Sequence, residues 1–181
     1  MKKVNKIYNR INDIDVICDM YDNVISRNTK NKSKIERFND YYSSNIINIK
    51  NIINNCNYKV SKYNIFIIRE PKLRIIMSQN ITDKVINHLV AKYFLVNVFD
   101  KSFIDTNVAT RVNRGTHYGI RKVKKYLNEI KYKNENFYYL KFDISKYFYN
   151  IDHEIAKNLI RNKIKDQKVL KVLDDIIDST N

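Results

Sequence analysis

Apolar residues recur every three or four positions over most of this chain, which predicts a largely helical protein. Ile7, Ile11, Ile14, Ile17, Tyr21 and Val24 form one such face, and Ile35, Phe38, Tyr42, Ile46, Ile49 and Ile53 form a second. Between them, residues 26–33 are polar and basic and read as a connecting loop. Ile81, Val85, Leu89 and Tyr93 step by four along a third helix, capped by Asn80 or Thr82. Ile120, Val123, Leu127 and Ile130 give a fourth helix an inward face, with Arg121, Lys122, Lys124 and Lys125 outward. Asp152 is a good N-cap for a fifth, which carries Ile155, Leu159, Ile160 and Ile164. Asp166 interrupts the pattern before a last helix with Val169, Leu170, Leu173, Ile176 and Ile177 inward.

Two stretches carry a period of two instead. Residues 63–69 and 72–77 are β-rich runs broken at Glu70-Pro71, which predicts a hairpin. In its second strand Lys72, Arg74 and Ile76 share one face, with Leu73, Ile75 and Met77 on the other. Two cations on one strand face make a compact phosphate-facing patch, and Lys and Arg equally defend exposed edge strands. From Phe137 onward, alternation sets Tyr138, Leu140 and Phe142 against Lys141 and Asp143. That predicts a strand burying its apolar side and presenting Asp143 in front of a sheet. A carboxylate among so many apolar neighbours calls for a cation, and a divalent metal is the natural one.

Composition narrows the partner. Lys and Arg number 34 against 19 acidic residues, a net +15, which predicts a polyanion and above all nucleic acid. Charge alone says nothing about catalysis. Cys18 and Cys56 stand in no metal-ligand or redox spacing and read as buried thiols in a reducing cytoplasm. No apolar run approaches the ~20 residues of a membrane span. The start, MKKVNKIYNR, lacks the apolar segment of a signal peptide. His88 has no acidic or Cys partner at metal spacing and reads as structural, and His153 as a residue orienting the turn beside Asp152. Arg111, Arg114, Gly115, Thr116 and His117 cluster just before the fourth helix. Gly115 permits close backbone approach, Thr116 is a plausible N-cap, and free amides beside two arginines favour phosphate.

The stretch D-I-S-K-Y-F-Y-N-I-D-H, residues 143–153, resembles the first catalytic motif (motif A) of reverse transcriptases. The likeness is greatest to the bacterial enzymes related to group II intron, retron and diversity-generating polymerases. REPKLRIIMSQNITDKVINHL resembles the family's basic fingers hairpin, and the Arg111–Thr116 cluster resembles its second fingers motif, which opens a helix beside the template. The resemblance implies an α+β fold: an N-terminal helical region (1–60), fingers with a β-hairpin (61–136), and the start of a right-hand polymerase palm, incomplete (137–181). It implies that Asp143 and the backbone carbonyl of Ile144 hold Mg²⁺ or Mn²⁺. Phe148 is then the aromatic gate under the sugar, Lys72 and Arg74 meet the triphosphate, and Arg111, Arg114, Gly115 and Thr116 line the template. The implied reaction adds deoxynucleotides to a primer 3′-hydroxyl on an RNA template by two-metal phosphoryl transfer. Its partners are RNA template, DNA primer and deoxynucleoside triphosphates, with no membrane. Without the resemblance, Asp143 reads as a strand cap and Phe148 as a core residue. The N-terminal helices read either as packing on the fingers or as a strut against template.

Two-metal chemistry uses several carboxylates to hold ions ~4 Å apart. The family takes the others from a downstream Y-x-D-D turn, a motif these 181 residues do not contain. Asp174-Asp175 cannot stand in, because the apolar period places them on the outer face of a helix. The sequence therefore predicts a fragment, a truncated product or one part of a split polymerase, inactive by itself. The alternative is a non-catalytic basic nucleic-acid-binding module with a vestigial site.

Overall fold

The structure, a computed structural model, describes residues 3–132 and 138–180. It is a mixed α+β chain with seven helices and one two-stranded antiparallel sheet among those residues. A 3₁₀ turn, Tyr8–Ile11, precedes α1, which starts as Ile14–Asp19, widens into a π turn at Met20–Ile25 and closes at Ser26–Asn28. Then come α2 (Lys32–Asn39), α3 (Tyr42–Asn54), β1 (Asn64–Ile68), β2 (Arg74–Ser78) and α4 (Ile81–Val90). α4 runs on through a π turn, Ala91–Val96. The last three helices are α5 (Thr116–Lys131), α6 (His153–Arg161) and α7 (Gln167–Ile177).

The periodic stretches do become helices, but two of them are broken by caps. The first expected face is interrupted where the Asp13 side chain accepts from the Asp15 amide and starts α1 afresh. α1 then runs past Ser26, so the polar loop shrinks to residues 29–31, and the Asn31 side chain caps α2. The second expected helix is two, parted at Asp40-Tyr41. Asn80, and not Thr82, caps α4, and Asp152 caps α6 as its sequence position predicts. Cys18 and Cys56 are unpaired and only half-buried.

The chain forms two compact units, Met1–Val98 with Asp152–Asn181, and Phe99–Ile151. The expected division at 60/61 and 136/137 rests on motifs, a different criterion from compactness. Every buried apolar side chain among the described residues belongs to the first unit, with Ile17, Ile49, Val85, Leu89, Phe94 and Val169 fully enclosed. Tyr21 stacks on Phe38 at 4.4 Å, and the Tyr8 hydroxyl donates to the Ile53 carbonyl at 2.6 Å. Asp166, which breaks the apolar rhythm in sequence, is a buried junction. It caps α7 and also accepts from the Ile7 and Tyr8 amides at 2.8 and 3.1 Å. Val4 bridges Ile164 beside it, so the N-terminal stretch is clasped to the C-terminal helices.

The hairpin forms in the register Asn64↔Ser78 to Ile68↔Arg74. Lys72 lies in the bend before β2 and not in the strand, so it does not share a strand face with Arg74. Across the sheet, Arg74 is paired with Ile68, on a face with Phe66 and Ile76. The opposite face, Ile65, Ile67, Ile75 and Met77, is aliphatic and exposed.

The second unit differs in kind. Among its described residues none is a buried hydrophobe. The apolar residues of α5 expected to point inward are open instead, with Ile120 and Val123 more than half exposed. They line a groove of about 710 Å³ with Val108, Gly119 and Leu127. The expected strand is not formed either. Phe137 lies outside the described residues, and 138–144 have no regular structure. Alternation specifies which side of a strand would be buried, but a strand exists only when its amides and carbonyls pair with a neighbour. No such neighbour occurs among the described residues.

Candidate nucleic-acid and nucleotide site

Asp143 stands in the irregular segment 138–144, exposed, with no side-chain hydrogen bond or ion pair among the described residues. Ile144 is exposed beside it. The chain then turns through Lys146, held in the left-handed region at φ 50°, into a 3₁₀ turn, Tyr147–Asn150. The Asn150 amide closes this turn, donating to the Ser145 and Lys146 carbonyls at 3.3 and 3.1 Å. Phe148 is 83% exposed and stands edge-on to Tyr147, with ring centres 5.3 Å apart. A core role for Phe148 is therefore overturned, and a strand-cap role for Asp143 falls with the strand. His153, the first residue of α6, lies 3.4 Å from the Asp178 carboxylate.

The chemistry of the donors sets what could bind. A carboxylate and a backbone carbonyl are hard oxygen ligands suited to Mg²⁺ or Mn²⁺. Among the described residues no group of three or more His, Cys, Asp or Glu is placed to hold a metal. Asp143 and Ile144 fit as contributors to such a site, with the remaining positions supplied by a triphosphate, water or further carboxylates.

Lys72 and Arg74 are exposed and belong to the first compact unit; Asp143 and Phe148 belong to the second. Arg111 and Arg114 are placed otherwise than expected. Arg111 is 8% exposed and spends its guanidinium inside the protein. Nε and Nη2 grip the Asp100 carboxylate at 2.7 and 3.2 Å, Nη2 also reaches the Asp100 carbonyl, and Nη1 reaches the Ile104 and Asn107 carbonyls. No donor of Arg111 is left for a phosphate, so its role is to shape the loop ahead of α5. Arg114 Nη1 and Lys122 Nζ both contact Asp105, whose other partner is the Tyr118 hydroxyl at 2.8 Å. Gly115, not Thr116, is the N-cap of α5, and no side chain caps that end. Thr116 is the first helical residue, and a Cβ built on Gly115 meets no atom within 4 Å.

Charged contacts knit the loop ahead of α5. Lys122, Arg114 and Tyr118 hold the Asp105 carboxyl well below the usual carboxylate range, and Arg111 lowers that of Asp100. Both folded values are depressed. Their contribution is therefore complete above the ordinary value of about 4, and it is lost only as pH falls well below that. The loop should stay knitted in mild acid. Arg111→Ala is expected to raise amide hydrogen exchange across residues 100–114 by about an order of magnitude. Exchange left unchanged by the substitution would show that these contacts do not hold the loop.

Sequence reasoning singles out neither Asp105 nor Tyr118 and places Lys122 only on an outward charged face. The signal was present, because 114, 118 and 122 are spaced by four and share a face around the start of α5. In comparison with known proteins, no family model matches this chain, and no curated protein matches it. No helix among the described residues is long and apolar enough to cross a membrane.

Proposed function

We propose that this chain supplies the fingers and first palm segment of an RNA-directed DNA polymerase. It contributes Asp143 to a metal-bound nucleotide site that further carboxylates complete. One observation carries the reading: within the motif-like stretch 143–153, the carboxylate of Asp143 is open and without a partner among the described residues. Asp152 and Asp166, by contrast, are tied to backbone amides.

In this reading Phe148, also open, lies under the sugar and leaves no room for a 2′-hydroxyl. Arg114 meets template phosphate. A metal held by Asp143 and the Ile144 carbonyl would screen the phosphates as the primer 3′-hydroxyl attacks. The net +15 supports salt-sensitive RNA binding.

Because the chain lacks a Y-x-D-D turn, primer extension by these 181 residues is not expected. Binding is the informative readout. A fluorescent deoxynucleoside triphosphate should bind more tightly with Mn²⁺, and Asp143→Asn should remove about tenfold or more of that gain. RNA affinity measured without nucleotide should not change. Nucleotide binding indifferent to both metal and Asp143→Asn would favour the second reading, a basic RNA-binding module, which the lone carboxylate at the site supports.

A further inference from the structure

We infer that Arg114, Tyr118 and Lys122 form a cradle for one phosphodiester group of a nucleic-acid strand, and that Asp105 fills this cradle while the protein is free. The inference rests on the reading that this unit meets nucleic acid, and it adds an internal competitor for the contact. Three donors converge on one carboxylate. Arg114 and the Tyr118 hydroxyl meet Oδ1, and Lys122 meets Oδ2. Arg114 also donates to the Tyr118 hydroxyl at 3.0 Å and to the Asp105 carbonyl at 3.1 Å. The guanidinium lies 5.0 Å and the ammonium 5.5 Å from the centre of the Tyr118 ring, so the ring spaces the two cations.

A phosphodiester presents two non-bridging oxygens to such donors much as a carboxylate does, with a similar single charge. Two cations facing one anion leave the cluster at net +1, so an incoming phosphate is attracted before Asp105 has left. Asp105 is 48% exposed on its side chain, and it can pass to water at little desolvation cost. Nearby Asp100 does not compete for the cradle, because Arg111 holds it. The open space at Gly115, at the adjoining start of α5, admits a strand close to the backbone.

The test is fluorescence anisotropy of a labelled single-stranded RNA of mixed sequence, titrated with the full chain over a KCl series. Asp105→Asn should tighten binding about five- to tenfold at fixed salt and steepen the logarithmic salt slope by about one. Glu36→Gln removes the same charge from an exposed acid of the other compact unit and should change affinity by about twofold or less. In a Lys122→Met background the gain from Asp105→Asn should largely disappear. Tyr118→Phe, which keeps both cations, should weaken RNA binding by about two- to threefold when added to Asp105→Asn. An Asp105→Asn protein that behaves like Glu36→Gln, or a gain that survives Lys122→Met, overturns the cradle alone. Absence of RNA binding by both wild type and Asp105→Asn at low salt overturns the cradle and the nucleic-acid reading together.

Discussion

Asp166→Ala should cost this protein about 3–5 kcal/mol of stability, a large share of the roughly 5–15 kcal/mol a domain has. The carboxylate is buried, at 7% exposure, and accepts from four backbone amides. Oδ2 takes Ile7 and Tyr8, and Oδ1 takes Lys168 and Val169 at 3.2 and 3.4 Å. Truncation leaves the first two amides orphaned in the interior and uncaps α7 at once. The Val4–Ile164 bridge should loosen with them, because it lies next to the same junction. Asp166→Asn keeps one acceptor oxygen and should cost about half as much. Urea unfolding of the three proteins reads both values, and a loss under about 1 kcal/mol for the alanine variant would show the clasp to be dispensable.

The second large effect is at Asp83, which is 1% exposed on α4. It accepts from the Tyr58 hydroxyl and the Ser61 amide, each at 3.1 Å, and so anchors the chain just before it enters β1. Asp83→Ala should cost about 2–4 kcal/mol, and Tyr58→Phe about 1 kcal/mol. A double-mutant cycle should show coupling, since both act on one contact. Burial first, and then the neighbouring Asp83 charge, push the Tyr58 hydroxyl well above its ordinary value of about 10. A raised folded value means that this contribution is complete below pH ~10 and is lost as pH rises further. Wild type should therefore lose stability above pH ~10 more steeply than Tyr58→Phe. Equal alkaline slopes would remove Tyr58 from the account. Loss of either anchor should also loosen the base of the hairpin that carries Arg74.

What could be read from the sequence was local. The apolar period gave the helices of the first unit, alternation around Glu70-Pro71 gave the hairpin, and short-range capping chemistry gave Asn80 and Asp152. Contacts between residues distant in sequence were not legible. Asp166 looked like a break because its amide partners lie near the other end of the chain. Arg111 looked like a phosphate reader because nothing nearby in sequence shows that Asp100 takes its guanidinium. Period alone also could not tell whether an apolar side finds a partner. The helical period that placed Ile49 in the core left Ile120 and Val123 in the open, and the alternation at 138–142 left Tyr138, Leu140 and Phe142 exposed. At the candidate site, the sequence placed the carboxylate and the ring, and the structure adds that both are exposed.

Asp143, exposed and without a partner among the described residues, is proposed to bind a nucleotide-associated metal ion. Amide-resolved NMR of the ¹⁵N-labelled chain, titrated with Mn²⁺ in the presence of a deoxynucleoside triphosphate, addresses it most directly. The account predicts paramagnetic broadening centred on Asp143 and Ile144, extending to the amides around Phe148 and abolished by Asp143→Asn. Broadening centred on other carboxylates, or signals at 143–144 that stay sharp to saturating Mn²⁺, would contradict it.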